Sequence, residues 1–140
     1  MKAKVIYMVL VDTSVIIDKI KKVENKKTVL FDRHLAAQKS FGISVFTFHE
    51  ILQGAISDSE FKQLYKYFST QKILTLPNTA TAYAESAKLC FRMKNQGIVM
   101  SSTINILIAY TAIHYKIPLL HNDAEFDLIA EYNPRLRIMN

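Results

Sequence analysis

Three carboxylates, Asp12, Glu50 and Asp123, each follow a short apolar run rich in β-formers, and that shared position suggests a shared chemistry. Asp12 closes the run Val5 to Val11, and Asp123 follows Pro118-Leu119-Leu120. Glu50 comes three residues after Ile43-Ser44-Val45-Phe46-Thr47, on the expected first turn of the next helix. If the runs are strands of one parallel sheet, acids distant in sequence converge outside the carboxyl ends of the strands, where such sheets bind ligands. Like charges brought together repel and raise one another's pKa, which opposes folding unless a cation intervenes. Mg²⁺ or Mn²⁺ is the natural remedy, because hard dications prefer oxygen ligands. Each acid also has a plainer use. Asp12 before Thr13-Ser14 can cap a helix, Glu50 can favour the helix dipole, and Asp123 after Asn122 suits a turn. Their joint placement argues for a metal site.

Several neighbours are candidates for supporting roles. Thr13 and Ser14 can orient Asp12 or a bound water. His49 adjoins Glu50 and His121 precedes Asn122-Asp123, but an oxygen-lined site has little need of imidazole, so packing or hydrogen bonding is expected of both. Asp127 is expected to face solvent. Arg92 and Lys94, shortly before Gly97, are the candidates for phosphate contacts. Cys90, within Ala87-Lys88-Leu89-Cys90-Phe91, reads as a small buried hydrophobe rather than a nucleophile, and a lone cysteine forms no internal disulfide.

Positioning these residues requires alternating strands and helices. Val5 to Val11, Ile43 to Thr47, Lys72 to Leu76 and Pro118 to Leu120 are strand candidates, with Arg135 to Met139 as an edge strand. Between them, helices are expected after a Ser14 cap, over Asp32 to Ser40, around Glu50-Ile51-Leu52, after Ser57 or Asp58, from Thr79 to a stop at Gly97, after Ser101 or Ser102, and at Phe126 to Ile129. Phe61, Leu64, Tyr65 and Phe68 fall at helical spacing, suiting either core packing or a partner groove. The pattern implies an α/β fold, a parallel sheet of four to five strands with helices on both faces.

With 140 residues, half of them hydrophobic, the chain suits one domain, 1–140, with a real core. Eighteen Lys and Arg against 12 Asp and Glu give a net charge of +6, which favours a polyanionic partner. The lysines are dispersed, however, and a solvated helix face is the default reading of such charges. Lys2 and Lys4 ahead of Val5 to Val11 imitate a signal peptide, but Asp12 interrupts the run and no cleavage site follows. No run approaches the ~20 apolar residues of a membrane span. A cytoplasmic protein without membrane association is expected.

The segments Val9-Leu10-Val11-Asp12-Thr13-Ser14-Val15-Ile16-Ile17-Asp18, Ile43 to Ala55, Leu107-Ile108-Ala109 and Leu119 to Phe126 resemble, in order and spacing, the four motifs of PIN domains. The likeness is greatest to VapC-type toxins, the ribonuclease halves of toxin–antitoxin pairs. It implies a three-layer α/β/α fold and an acidic quartet at positions 12, 50, 105 and 123. It further implies a Mg²⁺- or Mn²⁺-dependent endoribonuclease acting on RNA, a cognate antitoxin and a homodimer. Glu125, where the family often carries an acid, becomes an auxiliary candidate beside Asp127. The chain departs from the pattern at Asn105, where the family has aspartate. An amide oxygen can face a metal, but it binds a dication more weakly and cannot act as a base. Three readings of Asn105 stay open: an inactivating substitution, favoured by its isosteric character, a natural variant of low activity, or a structural first-turn residue. The functional alternatives are a non-catalytic PIN module that binds RNA or a partner, and an rRNA-processing PIN nuclease.

Overall fold

A computed structural model of the chain describes residues 8–140. In chain order its elements are β1 (Met8–Val11), α1 (Thr13–Ile20), α2 (Lys26–Ala36), β2 (Ser40–Ser44), α3 (Val45–Gln53), α4 (Asp58–Phe68), β3 (Lys72–Leu74), α5 (Ala80–Asn95), α6 (Thr103–Tyr115), β4 (Leu119–Leu120) and α7 (Ala124–Tyr132). The expected start of the first strand, from Val5, lies outside the described residues.

All pairings are parallel and the strand order is β3-β2-β1-β4. From β1 the chain steps outward to β2 and β3, then returns across the sheet through α5 and α6 to β4, on the other side of β1. A reversal of direction with right-handed crossovers places the connecting helices on opposite faces. The core follows suit. Val9, Val11 and Leu120 join Val15, Ile16, Phe31, Ile51 and Phe68 in one apolar cluster. Leu10 and Leu119 point the other way, into a cluster with Met93, Ile108, Phe126 and Ile129. This period-two alternation divides one sheet between two helical layers. The expected α/β/α architecture is what forms.

Local chemistry sets the element ends. Ser57, Thr79 and Ser102 cap α4, α5 and α6, each accepting from a backbone N–H with its hydroxyl. After α5 the backbone turns at Gly97, whose φ of +81° a β-carbon would strain. Other boundaries moved from expectation. The second strand ends at Ser44 rather than Thr47, because the Ser44 hydroxyl accepts from the Phe46 N–H and starts α3 at Val45. Glu50 therefore lies beyond the first turn of its helix. The second helix begins at Lys26, not Asp32, and Ser40 belongs to β2. The reason is a capping box in which Asn25 accepts from the Thr28 N–H while the Thr28 hydroxyl accepts from the Asn25 N–H. We expect Asn25→Ala to destabilise the fold by about 1 kcal/mol, read as a lower urea midpoint at unchanged slope.

Asp12, not Ser14, is the N-cap of α1. The edge strand expected over Arg135 to Met139 reduces to a single parallel bridge between Leu119 and Ile138, flanked by Leu119 N–H to Arg137 O and Met139 N–H to Leu119 O bonds. Cys90 is only half-buried against the α5–α6 side of the core. Among the described residues, no helix is long and apolar enough to cross a membrane.

Candidate functional site

β1 is the pivot of the topology, and the crevice beside a strand where the order reverses is the favoured ligand site of such sheets. Asp12 follows β1 there, and Asp123 follows its neighbour β4. The two loops are tied by one hydroxyl. Ser14 Oγ donates to Asp12 Oδ2 at 2.6 Å and accepts from the Asn122 N–H at 2.9 Å. The Ser14 N–H also donates to Asp12 Oδ2, at 3.0 Å, so the capping interaction and the site share a single oxygen.

The other oxygen is different. Asp12 is 3% exposed, and its Oδ1 is buried without a hydrogen-bond partner. Burial pushes the Asp12 carboxyl above its ordinary pKa. The Ser14 hydroxyl and amide and the Thr13 N–H pull the other way, and the charge of Glu50 adds to the rise. A buried polar atom with no partner is costly, and a charged one more so. A divalent cation would supply what Oδ1 lacks, and one or two carboxylates completed by water and phosphate oxygens suffice for Mg²⁺. The donor set fits such an ion.

Thr13 serves Glu50 rather than Asp12 through its side chain. Its hydroxyl donates to Glu50 Oε1 at 2.7 Å and lies 3.0 Å from the hydroxyl of buried Thr47. Ser14, by contrast, orients Asp12 as expected.

Around Asp123 the chemistry inverts. Asn105 sits in the first turn of α6, its N–H bonded to the Ser102 hydroxyl. Its Nδ2 donates to Asp123 Oδ2 at 3.1 Å and to Glu125 Oε1 at 2.9 Å. Both partners are acceptors, so the NH₂ end of the amide must face them. Glu125 Oε2 in turn receives the Ser101 N–H at 2.7 Å and the Ser101 hydroxyl at 2.6 Å, and the Glu125 N–H donates to Asp123 Oδ1. Burial, the largest single influence on Glu125, raises its pKa, but the Ser101 and Asn105 bonds together outweigh it and the pKa is lowered. Asn105 therefore bridges two acids as a donor. Among the described residues, no group of three His, Cys, Asp or Glu side chains is arranged to hold one ion.

Of the remaining candidates, exposed Asp127 stands 3.2 Å from Nε2 of buried His121. The Asp123 N–H donates to His121 Nδ1, which leaves the ring proton on Nε2, facing Asp127. Burial lowers the His121 pKa against the pull of Asp127, so the ring is a neutral brace beneath Asp123. His49 is exposed and lies 3.0 Å from Gln53 Oε1. Arg92 and Lys94 are exposed on the last turn of α5, and neither bonds to the acidic group. Lys94 instead borders a cleft of about 420 Å³ with Tyr83, Phe91, Thr103 and Leu107. As site residues, Ser101, Thr47 and Asn122 escaped sequence reasoning, although Ser101 was expected as a helix cap. Only Asn122, as neighbour of Asp123, carried a signal. Asp18, within the first motif, likewise accepts from Asn25 at 2.9 Å and Asn122 at 3.3 Å, fastening α1 to both loops.

The family model described as PIN domain matches residues 9–132. The chain belongs to the PIN-domain family. No curated protein matches it. Solved structures similar to this PIN chain include VapBC2 from Rickettsia felis bound to a DNA fragment from their promoter, at TM-score 0.72 and 19% identity over 95% of this chain and 98% of that one. FitAcB from Neisseria gonorrhoeae is similar at TM-score 0.70 and 18% identity, over 95% and 97%. VapBC-1 from nontypeable Haemophilus influenzae is similar at TM-score 0.67 and 21% identity, also over 95% and 97%. At these identities the likeness is one of fold. PIN domains are typically nucleases, and the crevice beside β1 is where this PIN chain gathers its acids.

Proposed function

We propose that this PIN chain is the toxin half of a toxin–antitoxin pair and a Mg²⁺- or Mn²⁺-dependent endoribonuclease. One observation carries the reading: the buried, unpartnered Oδ1 of Asp12 at the pivot of the sheet, with the charge of Glu50 bearing on it. Asp12, Glu50, Asn105 and Asp123 would hold one or two such ions. When bound, Mg²⁺ or Mn²⁺ supplies Lewis acidity, lowering the pKa of water and offsetting charge on phosphoryl oxygens. The protein's own residues do the positioning. Ser14 fixes Asp12, Thr13 fixes Glu50, and Asn105 and His121 fix Asp123. No side-chain nucleophile is needed, and the net charge of +6, with Arg92 and Lys94 exposed, suits an RNA backbone.

An antitoxin partner is consistent with the apolar groove between α1, α2 and α4. It measures about 280 Å³ and is lined by Ile16, Ile20, Phe31, Leu35, Leu64 and Tyr67. Of the apolar stripe on α4, Phe68 is buried in the core while Phe61 and Tyr65 stay exposed. A homodimeric, cytoplasmic protein of one domain, 1–140, completes this reading.

A second reading, a PIN module that binds RNA without cutting it, is favoured by the donor role of Asn105, whose amide occupies carboxylate oxygens of Asp123 and Glu125. Incubating structured RNAs with the wild type and with Asn105→Asp, in Mg²⁺, in Mn²⁺ and in EDTA, separates the two. We expect Asn105→Asp to cut on the order of 10–100-fold faster than wild type, and EDTA to abolish the cutting. Cleavage that persists in EDTA overturns the metal mechanism. RNA binding by both proteins with cleavage by neither makes the chain a binding module.

A further inference from the structure

We infer that Asn105 divides the acidic edge into a half whose carboxylate oxygens the protein already satisfies and a half that still demands a cation, so that the chain binds a single divalent ion, on Asp12 and Glu50. This rests on the metal-dependent reading above and concerns the number and place of ions, which that reading leaves open.

The two halves differ in how their oxygens are satisfied. Asp123 and Glu125 together receive the Asn105 NH₂ at 3.1 and 2.9 Å, the Ser101 N–H and hydroxyl at 2.7 and 2.6 Å, and the Glu125 N–H at 3.0 Å. Every one of these four carboxylate oxygens has a donor. Fixed donors within the protein stabilise both carboxylates in place of solvent or an ion. An ion approaching this pair encounters the positive end of the Asn105 amide. Turning the amide to present its carbonyl would set that oxygen against two carboxylates and forfeit both bonds.

At Asp12 the opposite holds. Ser14 satisfies Oδ2 twice, and Oδ1, in a side chain 3% exposed, has nothing. Glu50 has its Oε1 fixed by Thr13, and its residue is exposed, open to a ligand from the crevice. Two carboxylates are within the usual protein contribution to a Mg²⁺ site, the rest being water or substrate oxygen. An aspartate at position 105 would remove the donor from the second half and add a charge, leaving three carboxylates that require an ion of their own.

The test is a count. Purified full-length chain is titrated with Mn²⁺, and free ion is read by electron paramagnetic resonance, for wild type, Asn105→Asp, Asp12→Asn and Glu125→Gln. Circular dichroism verifies that each is folded. We expect one ion per chain for wild type, a second for Asn105→Asp, loss of the ion for Asp12→Asn, and one retained ion for Glu125→Gln. The Glu125→Gln result decides the matter even if Asn105→Asp does not fold. Two ions on the wild type, an ion kept by Asp12→Asn, or an ion lost from Glu125→Gln overturns the inference while sparing the metal-dependent reading. A wild type that binds none overturns both.

Discussion

We expect Asp12→Asn to make the metal-free protein more stable at neutral pH and to suppress the RNA cleavage proposed for it, two effects of opposite sign from one atom. The Asp12 carboxyl is held above its ordinary pKa chiefly by burial, against the pull of the Ser14 bonds. In its neutral form the group favours the folded state below the unfolded pKa. That contribution is lost as pH rises through the higher folded pKa. Ionised Asp12 is therefore a cost borne by the metal-free fold at neutral pH. Asparagine preserves the shape and can still accept both Ser14 bonds through its carbonyl. The difference between the two melting curves, measured in EDTA from acid to neutral pH, should be smallest at low pH and widen as Asp12 ionises. Cleavage moves the other way. A metal ion contributes several kcal/mol to stabilising the transition state, so loss of its buried ligand should slow cleavage by at least roughly 10²–10³-fold. A variant less stable than wild type in EDTA at neutral pH would mean that the Asp12 charge is compensated within the fold, and the cation would then have no vacancy to fill.

Phe126→Ala has the largest expected effect on stability. The ring is 0% exposed, belongs to the cluster shared by Leu10, Leu119, Met93 and Ile129, and lies 5.0 Å from the ring of His121 at a tilt of 48°. Emptying such a position costs about 3–5 kcal/mol, a large share of the ~5–15 kcal/mol that holds a typical domain together. The damage also reaches the site. The Phe126 N–H bonds to the Asp123 carbonyl, and His121 receives the Asp123 N–H. A urea melt followed by circular dichroism measures the loss. Phe126→Leu, which refills most of the space, should recover much of it. A change below about 1 kcal/mol for alanine would show that α7 contributes little to the core.

Much of this arrangement was legible in the residues themselves. Ser57, Thr79 and Ser102 are strong N-cap formers placed just before helical periods, and each caps the helix it precedes. The sheet could be anticipated because short apolar runs, too brief for helices, alternate with longer amphipathic segments. The second strand shows where such reading stops. Val45-Phe46-Thr47-Phe48 has strand-like composition, yet Ser44 caps a helix there, since β-propensity reflects packing context more than backbone preference. The second helix hid behind a capping box that uses Thr28 in place of the usual glutamate. The candidate site divides in the same way. Motif spacing brought Asp12, Glu50, Asn105 and Asp123 under suspicion. Which hydroxyl serves which acid was invisible, because Thr13–Glu50 and Ser101–Glu125 join residues whose proximity only the folded chain creates. Asn105 is the sharpest case. Its identity suggested a weakened ligand, whereas its partners make it a donor.

The order of the strands also governs when the crevice can exist. β1 lies between β2 and β4, and the Ser14–Asn122 bond that joins the two loops spans 108 residues of sequence. A chain leaving the ribosome from its amino end can pair β1 with β2 early, yet β1 keeps one edge open until β4 emerges. Asp12 meets the loop of Asp123 only after the 108 residues that separate Ser14 from Asn122 have been made. A chain broken off before β4 would lack the crevice between β1 and β4 altogether.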